Sequence, residues 1–314
     1  MVGIQFHPQR ILPTKLRLHT LTTLALLLTL LTACVGVTPS ALSSLVTSVP
    51  AKKVDFVELY DYAERANFAY ADEPAIRARY PMTLGVRSPG KFDIQYFVEQ
   101  DDKLKTQFIT IRGTANRVNF LEDIDIKILS DLEIDIPVDS GFDLSTKAIL
   151  YDAKPYLKRN YKTFITGHSL GGAVAALLSV YLIRDGYYVE RVVTFGQPKF
   201  TTSAGVEHIG SVPLTRVVDE NDLIPMLPPD SLFKKDKYAH VGPEIILLKG
   251  TDFAYLSSHD AKRISVDEFW KSLAIASLND HHMDNYLKRV ASKASGATQV
   301  SYVNREKYLE QISR

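Results

Sequence analysis

Cysteine occurs once in the 314 residues, at position 34, and tryptophan once. A lone thiol excludes an internal disulfide framework. Neither sign of charge is in excess, with 37 Lys plus Arg against 36 Asp plus Glu, so no global positive field points to a nucleic-acid partner. The spacing of His and acidic residues matches no ligand set, so no metal and no organic cofactor is implied. The leucine-rich run at 21–31 is about eleven residues, against about twenty for a bilayer-spanning helix, which makes it too short to cross. No internal repeat is visible. What remains is ordinary for one globular domain able to bury a sizeable core: 46% apolar residues, 23% charged, 16 Gly and 15 Pro.

The first residues do not belong to that core. Arg10, Lys15 and Arg17 are the only charges before the leucine-rich run, the layout of an export signal. The run ends at Leu31-Thr32-Ala33-Cys34, which resembles the cleavage box of bacterial lipoproteins. That resemblance implies a signal peptide over 1–33 and lipid attachment at Cys34, which would become the first mature residue. Acylation would explain the odd cysteine, and two or three acyl chains hold a protein durably at a membrane surface. Val35, rather than Asp, after the cysteine resembles outer-membrane sorting. The expected location is therefore the cell envelope, lipid-anchored; an ordinary secretory signal with a chance cysteine would instead give a secreted protein. Removing 1–33 leaves 34 basic against 36 acidic residues, so the mature chain is close to neutral. Residues 34–53, rich in Ser, Thr, Val and Pro, read as a flexible tether.

From 54 to 290 helical and strand periods alternate, which predicts an α/β layer architecture. Val54, Val57, Leu59, Tyr62, Ala63 and Ala66 define the apolar side of an amphipathic helix. Residues 93–99 and 105–111 form a hairpin in outline, and 145–157 reads as a helix. A short strand at 161–165 precedes a helix at 170–182 made almost wholly of Ala, Leu and Val; further strands follow at 191–195 and 214–218. Strand, helix, strand is the unit of a parallel sheet, whose sites lie at the carboxyl ends of the strands. Residues 291–314 read as a polar tail.

Gly167-His168-Ser169-Leu170-Gly171 follows the first of these strands and opens the apolar helix. This is the Gly-x-Ser-x-Gly nucleophile elbow in its proper context. The serine needs a tight, strained turn that presents its hydroxyl away from the sheet. Small residues on either side keep Cβ atoms out of the neighbouring backbone, and the helix amino terminus offers N–H groups to a developing oxyanion. A serine hydroxyl also needs a base and an orienting acid, in this fold in the order Ser, acid, His. Asp219, Glu220 and Asp222 follow the strand at 214–218. His240, His259, His281 and His282 lie beyond, and spacing alone does not choose among them.

Residues 55–286 resemble the class 3, fungal-lipase-like lipases of the α/β-hydrolase fold, through six segments in order: Ile111-Arg112-Gly113-Thr114, Gly141-Phe142, Gly167 to Gly172, Phe195-Gly196-Gln197-Pro198, Asn221-Asp222-Leu223-Ile224-Pro225, and Asp280-His281-His282-Met283-Asp284-Asn285-Tyr286. The resemblance implies Ser169 as nucleophile, Asp222 as acid and His281 as base, with His282 adjacent as the rival. It implies an oxyanion hole from the N–H groups of Leu170 and Thr114. Asp219 and Glu220 are then expected as solvated loop charges, His240 as structural, His168 as a packing residue, and Arg112 as a brace made by ion pairing. Apolar residues at 118–136, among them Phe120, Leu121, Ile134 and Ile136, fall where the family carries a lid. Some are expected in the core, others along an acyl groove. The implied activity is hydrolysis of lipid carboxylic esters through an acyl-serine. A phospholipase A1, a short-chain esterase or a non-catalytic tethered protein are the alternatives.

Overall fold

Asp55 decides where the first helix begins. Its carboxylate accepts hydrogen bonds from the backbone N–H of Val57 (2.9 Å) and Glu58 (3.1 Å), the side-chain cap that satisfies a helix's orphan donors. In the computed structural model α1 accordingly spans Phe56–Phe68 and buries Phe56, Leu59, Tyr62, Ala63 and Ala66. Val57, expected on the apolar side, is instead 61% exposed. With the cap at Asp55, Phe56 takes the inward position and the 100° step of the helix turns Val57 out. The structure describes residues 54–90, 93–114, 128–131, 133–228, 237–258 and 278–300, all within the unit Val49–Arg314. The expected signal peptide, tether and Cys34, together with Phe120, Leu121, His259 and the tail after 300, lie outside the described residues.

After α1 come α2 (Glu73–Arg79), β1 (Thr83–Arg87), β2 (Tyr96–Asp101), β3 (Thr106–Ile111), β4 (Ile128–Asp131), β5 (Ile136–Asp139) and α3 (Ser140–Ala153). The expected hairpin is β2 with β3, paired antiparallel. Helix α3 starts earlier than the expected 145, because Asp139 caps the N–H groups of Gly141 and Phe142. It stops before the expected 157, because Pro155 has no N–H for the helical ladder. The chain continues through β6 (Lys162–His168), α4 (Leu170–Arg184), β7 (Val189–Phe195), β8 (Thr201–Thr202), α5 (Ser203–Ile209), β9 (Leu214–Asp219), β10 (Tyr238–Ala239), β11 (Glu244–Leu247), β12 (Asp252–Leu256), α6 (Met283–Ala294) and β13 (Thr298–Val300).

The strands form a sheet ordered β1-β2-β3-β6-β7-β9-β11-β12-β13 and a smaller one ordered β10-β8-β5-β4. Neighbours from β3 through β6, β7 and β9 to β11 are all parallel. Their carboxyl ends therefore share one edge, which carries His168, Phe195 and Asp219. Successive residues of a strand face opposite sides. Val192 of β7 joins the core under α3 and α4, while Val193 and Phe195 join the core under α1 and α6. Helix α4 is buried at every position from Gly171 to Leu182, which explains its unbroken apolar sequence. Ile134 and Ile136, from the region expected to hold both core and groove residues, are core.

The fold does not end at Val290. Helix α6 runs on to Ala294, and β13 adds a parallel strand beside β12, with Phe253 opposite Gln299. The stretch expected as the start of a polar tail is thus part of the sheet. A three-residue strand with two exposed side chains leaves no periodic pattern to read.

Candidate active site

Between β6 and α4 the backbone turns at Ser169 with φ 57° and ψ −130°, a conformation rarely adopted by a residue with a Cβ. The turn is pinned by the Ser169 N–H, which donates to the Phe195 carbonyl at 2.9 Å. The close approach at Gly171 shows why glycine is needed two residues on. A Cβ there would sit 2.5 Å from the carbonyl oxygens of both Ile111 and Arg112. The chain leaving β3 passes directly against the elbow: a Cβ on Gly113 would lie 3.0 Å from that of Ser169 and 2.5 Å from the Tyr70 hydroxyl. Thr114, half-buried, is the next residue of this segment. Leu170 is the first residue of α4, so its N–H has no acceptor within the helix. Arg112 donates to the Asp93 carboxylate at 2.5 Å and to the Gly113 carbonyl at 3.2 Å, bracing the segment as expected.

The other half of the site lies beyond β9. The Asp222 N–H donates to the Asp219 carbonyl (3.2 Å), and its Oδ1 accepts from the Ile224 N–H (2.9 Å). Its Oδ2 lies 2.7 Å from His281 Nδ1 and accepts from the Tyr286 hydroxyl at 2.5 Å. His281 ends the 3-10 turn that leads into α6, and its Nε2 lies 2.7 Å from Ser169 Oγ. A carboxylate only accepts, so the proton of the neutral imidazole resides on Nδ1 and Nε2 is free to accept from the serine hydroxyl. All three side chains are buried.

The structure thus brings Ser169, Asp222 and His281 together. His282, the rival base, is the half-buried residue preceding α6 and is not the one on the serine. His168 bonds through Nδ1 to the Tyr70 hydroxyl (2.8 Å), and its ring centroid lies 4.6 Å from that of His281. The elbow histidine therefore packs against His281. His240 is buried and donates from Nε2 to the Pro225 carbonyl at 2.6 Å. Burial, followed by the charges of Arg216 and Lys199, holds it well below the ordinary histidine range, hence neutral.

Asp219 and Glu220 are corrected. Expected as solvated loop charges, they are fully buried, and Arg289 of α6 spans them with Nε 2.6 Å from Asp219 Oδ2 and Nη1 2.9 Å from Glu220 Oε1. A compensating cation within reach is what permits such burial. It lies about seventy residues away in the chain, where spacing rules have no purchase. Tyr286 was likewise missed as a partner of Asp222, although its segment was singled out. Burial, then the charge of Asp222, pushes its hydroxyl well above the ordinary range, so it stays a donor. Among the described residues no group of three His, Cys, Asp or Glu side chains could hold a metal ion.

Known proteins share parts of this sequence and its fold. Residues 108–232 match the family Lipase (class 3). A solved lipase from Rhizopus microsporus var. chinensis superposes with a TM-score of 0.61 at 23% identity, over 74% of this chain and 88% of that one. Lipase II from Rhizopus niveus does so with a TM-score of 0.55 at 26% identity, over 64% and 83%. The fold is that of an α/β-hydrolase. The lipase of Rhizomucor miehei is 30% identical over 168 residues, covering 49% of this chain and 45% of its own. The secreted mono- and diacylglycerol lipase 1 of Fusarium solani is 28% identical over 170 residues, covering 49% and 47%. The chain spans about half the length of the curated relatives it matches.

Proposed function

We propose that this chain is a class 3 lipase that hydrolyses carboxylic esters of lipids through an acyl-serine intermediate. One observation carries the reading: on a strained elbow, Ser169 Oγ lies 2.7 Å from an imidazole whose far nitrogen lies 2.7 Å from a buried carboxylate. Ser169 attacks the ester carbonyl as His281 Nε2 takes its proton. Asp222 holds the tautomer and stabilises the imidazolium. The carbonyl oxygen, now an anion, is received by the N–H groups of Leu170 and Thr114. His281 returns the proton to the departing alkoxide, and water then releases the acid by the reverse sequence. The similarity to fungal lipases supports a lipid ester as substrate. Residues 1–33 would direct export and Cys34 would carry the acyl anchor, setting the enzyme at a membrane face; a Cys34→Ser chain that still incorporates an alkyne fatty acid in cells would refute the anchor.

The reading is tested with a fluorophosphonate probe and an ester series of graded chain length. Wild type should label and hydrolyse, and Ser169→Ala should do neither, with a loss of about a millionfold in kcat, the scale seen when a nucleophile is removed. Wild type that resists the probe, or Ser169→Ala that retains activity, would overturn it.

A further inference from the structure

The acid and the base of the site arrive on different elements. Asp222 comes from the loop after β9, while His281 and Tyr286 come from the start of α6. These parts are joined by the buried cluster described above. Arg289 lies three residues after Tyr286 and so on the same face of α6, and it reaches both Asp219 and Glu220. It also donates to the Leu247 carbonyl at the end of β11 (3.3 Å). Asp219 is the pivot of the acid loop. Its carboxylate accepts from the Asn221 N–H (3.2 Å), its carbonyl from the Asp222 N–H (3.2 Å), and its own N–H donates to the Tyr286 hydroxyl (3.0 Å). Fixing the Asp219 carboxylate therefore fixes the turn that presents Asp222.

We infer that Arg289 is a positioning residue of the reaction: by bridging Asp219 and Glu220 it docks the helix that delivers His281 onto the loop that delivers Asp222. The inference rests on the hydrolase reading of Ser169. It also has an electrostatic side. Asp219 and Tyr286 act on Asp222, and His168 packs on His281; Asp280 from the 3-10 turn, Glu220, and Arg289 and Lys293 from α6 surround Asp219 in turn, and Asp252 of β12 acts on Lys293. Arg289 makes the ion pairs with the two buried anions. Burial already raises Asp219 to about 7 against the pull of Arg289. Without that cation the positive charge set between the Asp219 and Glu220 carboxylates is lost.

The test follows the rate of fluorophosphonate labelling of the full chain against pH, which needs no knowledge of the natural substrate. Labelling requires neutral His281. Added negative potential favours the imidazolium, so in Arg289→Met the acidic limb should move up by about 0.5–1 pH unit. The plateau should fall about tenfold through lost alignment. Arg289→Lys, which keeps the charge, should leave the limb near its wild-type position. Glu220→Gln, which removes an anion and leaves the cation, should move the limb down, and it keeps the inference testable should Arg289→Met fail to fold. A limb that stays in place in Arg289→Met or in Glu220→Gln, with only thermal stability altered, would overturn the positioning role alone. Wild type that does not label at Ser169 would overturn the hydrolase reading and this inference with it.

Discussion

The two halves of the site are built from different materials. The nucleophile half is backbone: a residue at φ 57°, glycines against carbonyl oxygens, and a helix terminus, braced from outside by the ion pair of Arg112 with Asp93. The acid–base half is side chains: Asp219, Glu220, Asp222, His281 and Tyr286, all buried, and half-buried Arg289, joined in a chain of hydrogen bonds and ion pairs. The first half is held by excluded volume, which no solvent condition changes. The second is held by charges that have left water, and their interaction depends on proton occupancy.

The sharpest way to break that comparison is Asp222→Asn. The isosteric amide keeps the packing but no longer selects the Nδ1-protonated tautomer, so kcat on any ester should fall about ten-thousandfold while folding is little changed. A loss of only a few fold in steady-state assays would mean that the charged half is scaffolding. The matching change on the other side is Gly171→Ala. Its Cβ would meet two backbone carbonyls at 2.5 Å, neither of which can swing aside as a side chain could. About 1–3 kcal/mol of stability should be lost by denaturant titration, as for other overpacked sites. Activity should fall up to about a hundredfold as the elbow shifts. A variant as stable and active as wild type would show that the backbone half has more slack than its contacts indicate.

The same division explains what could be read from the sequence. Steric requirements act over a few residues, so Gly167, Ser169 and Gly171 announce the elbow in one short string, and the apolar run of α4 announces a buried helix. The parallel order of β6, α4, β7 and β9 follows from the same local patterns. Charge burial is not local. Nothing near Asp219 and Glu220 signals that an arginine from the last described helix will cover them, so two buried anions looked like a solvated loop. His281 and Asp222 were reached by family resemblance rather than by spacing, for the same reason: their geometry depends on a contact across 59 residues. The early start of α3 and the outward turn of Val57 are smaller cases, each set by a single aspartate cap.

The smallest expected effect tests the division through pH. Lys293, on the same helix as Arg289, is buried with Nζ donating to the carbonyls of Leu248 and Gly250, both at 2.8 Å. Burial, then the charge of Arg289, lowers it from the ordinary 10.5 to about 8. Between those two values the unfolded chain binds more protons at this position than the folded one, so the contribution of Lys293 to stability rises as pH rises through that window. Lys293→Met removes the group in both states. Relative to this variant, the wild-type melting temperature should climb between pH 8 and 10, whereas the deficit of Gly171→Ala against wild type should be the same at both ends of the range. Parallel curves for wild type and Lys293→Met would show that Lys293 titrates as an ordinary solvated lysine. A pH-dependent deficit in Gly171→Ala would show that the two halves of the site are not independent.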